Sequence, residues 1–205
     1  MGLTNAQLRK HLDAVAADDA IVAAAIERCG YPEERIRSTG HRTLLRTIVG
    51  QQVSVASAAA VWNKLEAELG EDMLPQDLLA RDFDTLRACG LSRQKQGYAR
   101  SLCELVASGE LAFDNLPEDD EAAMAELTMI KGIGRWSAEI YLLFAEGRQD
   151  IWPAGDLAVQ EAVGRMLELP ARPGEKETRE LGERWRPHRG AMAIFTWHTY
   201  NNAAL

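Results

Sequence analysis

The apolar residues of this chain recur at the helical period. Val55, Ala58, Trp62, Leu65 and Leu69 fall at i, i+3, i+7, i+10 and i+14, one stripe of an amphipathic helix, and Gly70 stands where such a helix stops. Tyr98, Leu102, Leu105 and Val106 form a second stripe, and Val159, Val163, Met166 and Leu167 a third. Alternating apolar–polar runs with tight turns between them are missing, so strands are not expected. Asp18 and Asp19 open a further helix that Gly30 and Pro32 close. Residues 44–50, 82–90, 117–127, 137–147, 156–169, 175–185 and 190–201 read as helices too, the one from Pro117 carrying acids in its first turn. About ten helices with short connections predict an all-α protein. There is no internal repeat and no low-complexity linker.

With 205 residues, 46% hydrophobic and 26% charged, the chain has ordinary globular composition, which excludes disordered and fibrous classes. No run approaches ~18 uninterrupted apolar residues, so a membrane partner is not expected. The N-terminal stretch has early acids and no apolar core of a secretory signal, which predicts an intracellular protein, in the cytoplasm and nucleoid or in a eukaryotic nucleus. Cys29, Cys89 and Cys103 lie far apart with no CxxC pair, so neither a zinc ribbon nor a disulfide framework is expected. A net charge of −8 argues against nucleic acid as a partner. That charge is uneven, however. Seven acids and no base lie between Glu110 and Glu126, whereas residues 184–189 hold three arginines. Mean charge governs solubility and long-range steering, not a local site.

The segment from Leu127 to Ala138, LTMIKGIGRWSA, is the most informative stretch. A helix ends near Thr128 and another begins near Trp136, with Gly132 and Gly134 flanking Ile133 between them. Two glycines at this spacing permit a tight hairpin with positive φ and strip side chains from its tip. Backbone N–H groups there, with the positive end of the next helix dipole behind them, can bind a phosphate without net positive charge. The alternative is a helical turn packed through close glycine contacts. Farther on, Asp156 in IWPAGDLAVQ stands 22 residues after Gly134. By itself it is a favoured N-cap for the helix that follows.

The hairpin string resembles the helix-hairpin-helix motif, whose usual form is LPGVG or LPGIG followed by a polar residue. The hairpin together with the aspartate loop resembles the helix-hairpin-helix/Gly-Pro-Asp DNA glycosylase superfamily. Two more strings, IVGQQVSVASA at 48–58 and RWRPHRGAMAIFTW at 184–197, narrow this to the 3-methyladenine DNA glycosylase II (AlkA-type) family, and CGLSRQKQGY at 89–98 fits it. The resemblance runs from about residue 15 to 200, a length that fits the glycosylase core without the added N-terminal mixed domain of some members.

The resemblance implies two helical lobes, 41–136 and 1–40 with 137–205, with the hairpin and Asp156 facing a cleft between them. It implies Asp156 as the catalytic carboxylate, and Trp136, Trp197 and Trp152 around the base, with Ile140 standing where some relatives have a pocket Tyr. DNA contacts fall to Lys131, Gly132, Gly134, Arg135 and Gln52. Gln52 takes the position where some relatives insert an aliphatic residue into DNA, and Gln51 or Val53 could serve instead. Carbonyls of Thr128, Ile130 and Ile133 match the family's ligands for a monovalent K⁺ or Na⁺ ion. No cofactor is required for the chemistry, and without a C-terminal cysteine cluster no iron–sulfur cluster is expected. The strand-cutting branch places a Lys where this chain has Trp136, so no lyase activity is expected. The implied protein is a monomer. It would act on double-stranded DNA containing damaged bases, releasing alkylated purines and leaving an abasic site. Three other readings are a glycosylase for deaminated, etheno or mismatched bases, a non-catalytic helix-hairpin-helix DNA-binding module and, on charge and Ala-rich helices without the motifs, an all-α protein-interaction scaffold.

Overall fold

Thr4 opens the first helix, α1 (Asn5–Asp18), through a capping box: its hydroxyl accepts the Gln7 N–H while the Gln7 amide oxygen accepts the Thr4 N–H. The computed structural model describes residues 2–202. The same capping chemistry starts helix after helix. Asp19 caps α2 (Ala20–Cys29), Ser54 caps α4 (Val55–Leu69), Asp82 caps α6 (Phe83–Ala88) and Ser92 caps α7 (Arg93–Ser108). Between them lie α3 (His41–Gly50) and the single turn α5 (Pro75–Leu79), which begins on its proline. Then follow α8 (Asp120–Thr128), α9 (Arg135–Tyr141), a π-helical turn (Leu142–Glu146), α10 (Leu157–Met166), α11 (Glu175–Gly182) with a short 3-10 turn (Glu183–Trp185), and α12 (Arg189–Asn201). The described residues hold no strand, as the helical period predicts.

The chain divides into two compact units. One is residues 38–141, with α3 to α9; the other is the chain up to residue 37 together with the chain from 142 onward. In the first, α7 packs against α3 and α5, and the buried side chains include Leu44, Leu45, Ile48, Leu65, Leu78 and Leu102. In the second, α10 packs on α12 and α1 on α2, around Leu8, Leu12, Val22, Val159, Val163, Met192 and Phe195.

Several element boundaries and faces differ from the periodicity. The helix read from Pro117 starts at Asp120, because Asp119 accepts the Ala122 N–H at 2.8 Å and a capped start prevails over the earlier proline. The segment 137–147 changes from α to π geometry at Leu142. Val55 heads its stripe yet is 89% exposed, since the first turn of α4 extends past the core that Trp62, Leu65 and Leu69 enter. On α7 the buried face is Gln96, Ala99, Leu102 and Cys103, while Leu105 and Val106 are half-buried. The buried Gln96 amide donates to the carbonyls of Phe83 and Leu91, while its Oε1 is buried without a hydrogen-bond partner.

In the second unit His11 and His188 meet Nδ1 to Nδ1 at 2.8 Å, so one ring donates and the other accepts. Burial first, then the charges of His188 and Lys10, lower the His11 pKa below its ordinary 6.5. The unfolded chain therefore binds the proton more readily, and stability rises with pH through this window. The thermal midpoint should hold above about pH 6.5 and fall as the pH drops below it. His11→Gln should flatten that slope, read from melts between about pH 5 and 8.

Candidate active site

The loop entering α10 is fixed by its own sequence. The Ala154 N–H bonds the Trp152 carbonyl at 2.8 Å and the Asp156 N–H bonds the Pro153 carbonyl at 2.9 Å, so the backbone turns twice within five residues. The buried Gln160 amide reaches back to the Ala154 carbonyl at 2.9 Å. Asp156 then caps α10, its Oδ1 accepting N–H groups of Ala158 at 2.9 Å and Val159 at 3.1 Å. The indole Nε1–H of Trp197, on α12, donates to that same oxygen at 3.1 Å. A half-buried carboxylate is thus aimed by two backbone donors and one side-chain donor, against the positive end of a helix.

Trp197 is half-buried and lies with its ring 5.5 Å, centroid to centroid, from Phe144 at an interplanar angle of 30°. Phe144 belongs to the π-helical turn, and the Arg37 guanidinium lies 5.7 Å from its ring. An aromatic wall therefore adjoins the carboxylate. Trp152, predicted beside it, belongs to the core instead. It is 3% exposed, donates its indole N–H to the Thr178 carbonyl at 2.8 Å and meets Trp185 edge-on at 5.3 Å. Gly182 is where α11 crosses it, since any Cβ there would overlap the indole.

The other predicted residues belong to unit 38–141. Trp136 and Ile140 lie four residues apart on α9, Trp136 46% exposed and Ile140 buried. Between α8 and α9 the hairpin is closed by Ile130 N–H to Leu127 O and Ile133 N–H to Ile130 O, with the Lys131 N–H on the Ser101 hydroxyl. Gly132 takes φ +81°, and the Tyr98 ring lies where its Cβ would be. Gly134 has no positive φ, and a Cβ there would meet nothing within 4 Å. The single left-handed residue completes the turn, and the second glycine leaves open space at the tip.

Lys131 is exposed, as a phosphate contact requires. Arg135 is engaged within the protein. Its guanidinium bonds Glu121 of α8 through two nitrogens, at 2.8 and 2.5 Å, and Glu139 of α9 at 3.0 Å. The Glu121 hydrogen bond, more than the nearby charge of Glu139, raises its pKa. A cation held by two carboxylates fastens α8 to α9. Gln52 is exposed at φ +55°, in the left-handed region that non-glycine residues rarely occupy. Gln51 beside it donates its amide Nε2 to the Gly132 carbonyl at 2.8 Å. The contacts of Phe144, Gln160 and Gln51 were not marked by any sequence pattern.

No three His, Cys, Asp or Glu side chains among the described residues gather to hold a metal ion. The hairpin carbonyls are the hard oxygens that a monovalent cation takes. No helix of the described residues is long and apolar enough to cross a membrane.

A family model described as HhH-GPD superfamily base excision DNA repair protein matches residues 45–187. DNA-3-methyladenine glycosylase 1 of Schizosaccharomyces pombe is 31% identical over 163 residues, which is 78% of this chain and 72% of that protein. Among solved structures, a DNA-3-methyladenine glycosidase from Bacillus halodurans superposes with a TM-score of 0.88 at 28% identity, covering 95% of this chain and 90% of the other. The Schizosaccharomyces pombe 3-methyladenine DNA glycosylase in complex with abasic-DNA gives 0.81 at 27% identity, covering 96% and 98%. The chain belongs to the HhH-GPD superfamily of base excision DNA repair proteins, and within it to the DNA-3-methyladenine glycosylases.

Proposed function

We propose that this chain is a monofunctional DNA glycosylase of base excision repair. It flips alkylated purines of the 3-methyladenine and 7-methylguanine type out of double-stranded DNA and hydrolyses their N-glycosidic bonds. The observation that carries this reading is Asp156, a carboxylate aimed by Ala158, Val159 and the Trp197 indole. Alkylation at a ring nitrogen puts positive charge on the purine, so the base leaves with little help from a general acid. One carboxylate then suffices to stabilise the oxocarbenium-like sugar and to orient the attacking water, where neutral leaving groups call for two. The aromatic face of Trp197, beside Asp156, favours a cationic base by roughly 0.5–2 kcal/mol. Trp136 occupies the place of the lyase branch's lysine, so no Schiff base forms and the strand stays intact.

The hairpin backbone around Gly132 and Gly134, with Lys131, receives a DNA phosphate despite the net charge of −8. A K⁺ or Na⁺ ion on the carbonyls of Thr128, Ile130 and Ile133 would supply positive charge between protein and phosphate. The protein works as a monomer, inside the cell, wherever its DNA is. Gln52 fills the gap left by the flipped base, and its left-handed backbone marks a strained functional turn. Gln52→Gly should therefore raise stability by up to about 1 kcal/mol while weakening binding to abasic-site DNA several-fold.

The test of the function is base excision from duplexes carrying 3-methyladenine, 7-methylguanine, ethenoadenine, hypoxanthine or a mismatch. Release of the methylated purines is expected, with strand breaks only after heat or alkali. Release confined to hypoxanthine or mismatched bases would move the substrate class, and no release at all would leave a DNA-binding module.

A further inference from the structure

We propose that Gln51 is a positioning residue that ties the DNA-inserting turn to the helix-hairpin-helix, an inference that rests on the glycosylase reading above. Gln51 follows the last residue of α3, and its own N–H stays on the Ile48 carbonyl at 3.3 Å. Its side chain donates to the Gly132 carbonyl, 81 residues along the chain, at 2.8 Å. The end of α3 has a second anchor, the Lys95 ammonium on the Val49 carbonyl at 2.7 Å. Past these anchors the chain projects outward. Gln52 sits at φ +55°, Val53 is 45% exposed and Val55 is 89% exposed.

The bond joins two elements that meet DNA in different ways. Its acceptor belongs to the residue whose φ of +81° makes the hairpin turn. Its donor stands one residue, a Cα step of about 3.8 Å, from the residue that enters the duplex. With the bond in place, seating a phosphate on the hairpin fixes where the inserting side chain stands; without it the turn must be ordered anew on each encounter. A core role does not account for the bond, because Gln51 is only half-buried and the Gly132 carbonyl can turn to water when the amide is lost.

The experiment compares affinities for two duplexes of one sequence, one carrying a tetrahydrofuran abasic-site analogue and one undamaged. The proteins are wild type, Gln51→Met, Gln52→Ala and the double variant, with thermal midpoints recorded for each. Met keeps the length of the side chain and removes the donor. Gln51→Met should lower the preference for the abasic duplex about threefold to tenfold, the range of one net hydrogen bond. The thermal midpoint should shift by no more than about 3 °C. In the Gln52→Ala background the same change should lower the preference no further, since both substitutions then act through one side chain. Gln51→Lys, which restores a donor, should recover the preference. An unchanged ratio for Gln51→Met, or losses that multiply in the double variant, overturns the inference while leaving the glycosylase reading standing. A wild-type protein that does not distinguish the two duplexes brings down both.

Discussion

Asp156→Asn should slow single-turnover release of 3-methyladenine or 7-methylguanine at least about a hundredfold while leaving DNA affinity nearly unchanged. A carboxylate that faces a developing cationic sugar stabilises the transition state more than the bound substrate, so the loss falls on the rate and not on binding. At 1.36 kcal/mol per decade, a hundredfold is about 2.7 kcal/mol, a modest demand on a charge that faces a developing cation. The substitution separates charge from architecture. Asn keeps an oxygen that can accept from Ala158, Val159 and the Trp197 indole, the three donors that now converge on Oδ1. Asn is also as good an N-cap as Asp, so α10 should start where it does now. The thermal midpoint should accordingly move by only a few degrees. Full excision by a folded Asn variant would leave Asp156 as a helix cap alone. A residual rate on the most labile methylated purines is expected, because their bond is already weakened by the charge on the ring.

What could be read in advance follows a physical pattern. The hairpin and Asp156 announce themselves because the backbone dictates them: a left-handed residue selects Gly132, and a helix start selects Asp156. Of the two tryptophans expected near Asp156, Trp197 is marked by the resemblance and Trp152 only by its nearness to the loop. Each is decided by where its indole N–H finds a partner, Trp152 on Thr178 and Trp197 on Asp156, contacts spanning 26 and 41 residues. No local pattern encodes such a distance. Arg135 has a partner that its neighbours in sequence do not reveal. A cation beside a glycine turn suggests a DNA contact, and the pairing with Glu121, 14 residues earlier, leaves no local mark. Phe144 was hidden in the apolar run from Ile140 to Ala145, where every position looks like core and the change to π geometry leaves no mark. Such π turns recur at functional sites, which fits a place beside Trp197.

The two hairpin glycines predict opposite outcomes for the same substitution. Gly132→Ala meets two obstacles at once. At φ +81° an L side chain costs about 1–2 kcal/mol. Its Cβ would also overlap the Tyr98 ring, whose hydroxyl is held by the Gln94 amide at 2.5 Å, so the ring cannot swing aside without losing that bond. Overpacking of this kind costs roughly another 1–3 kcal/mol. Together these are about 2–5 kcal/mol, which for a chain of this length lowers the thermal midpoint by roughly 5–15 °C. Gly134→Ala meets neither obstacle, with no positive φ and nothing within 4 Å of the added methyl. Its stability should stay within about 0.5 kcal/mol of wild type. What it should lose is DNA affinity, because the methyl occupies the space through which a phosphate approaches the hairpin amides. Melting curves of the two variants, with their affinities for undamaged duplex, test both halves. Equal midpoints for Gly132→Ala and wild type would show that the turn tolerates a side chain. Unchanged affinity in Gly134→Ala would mean that the phosphate binds elsewhere.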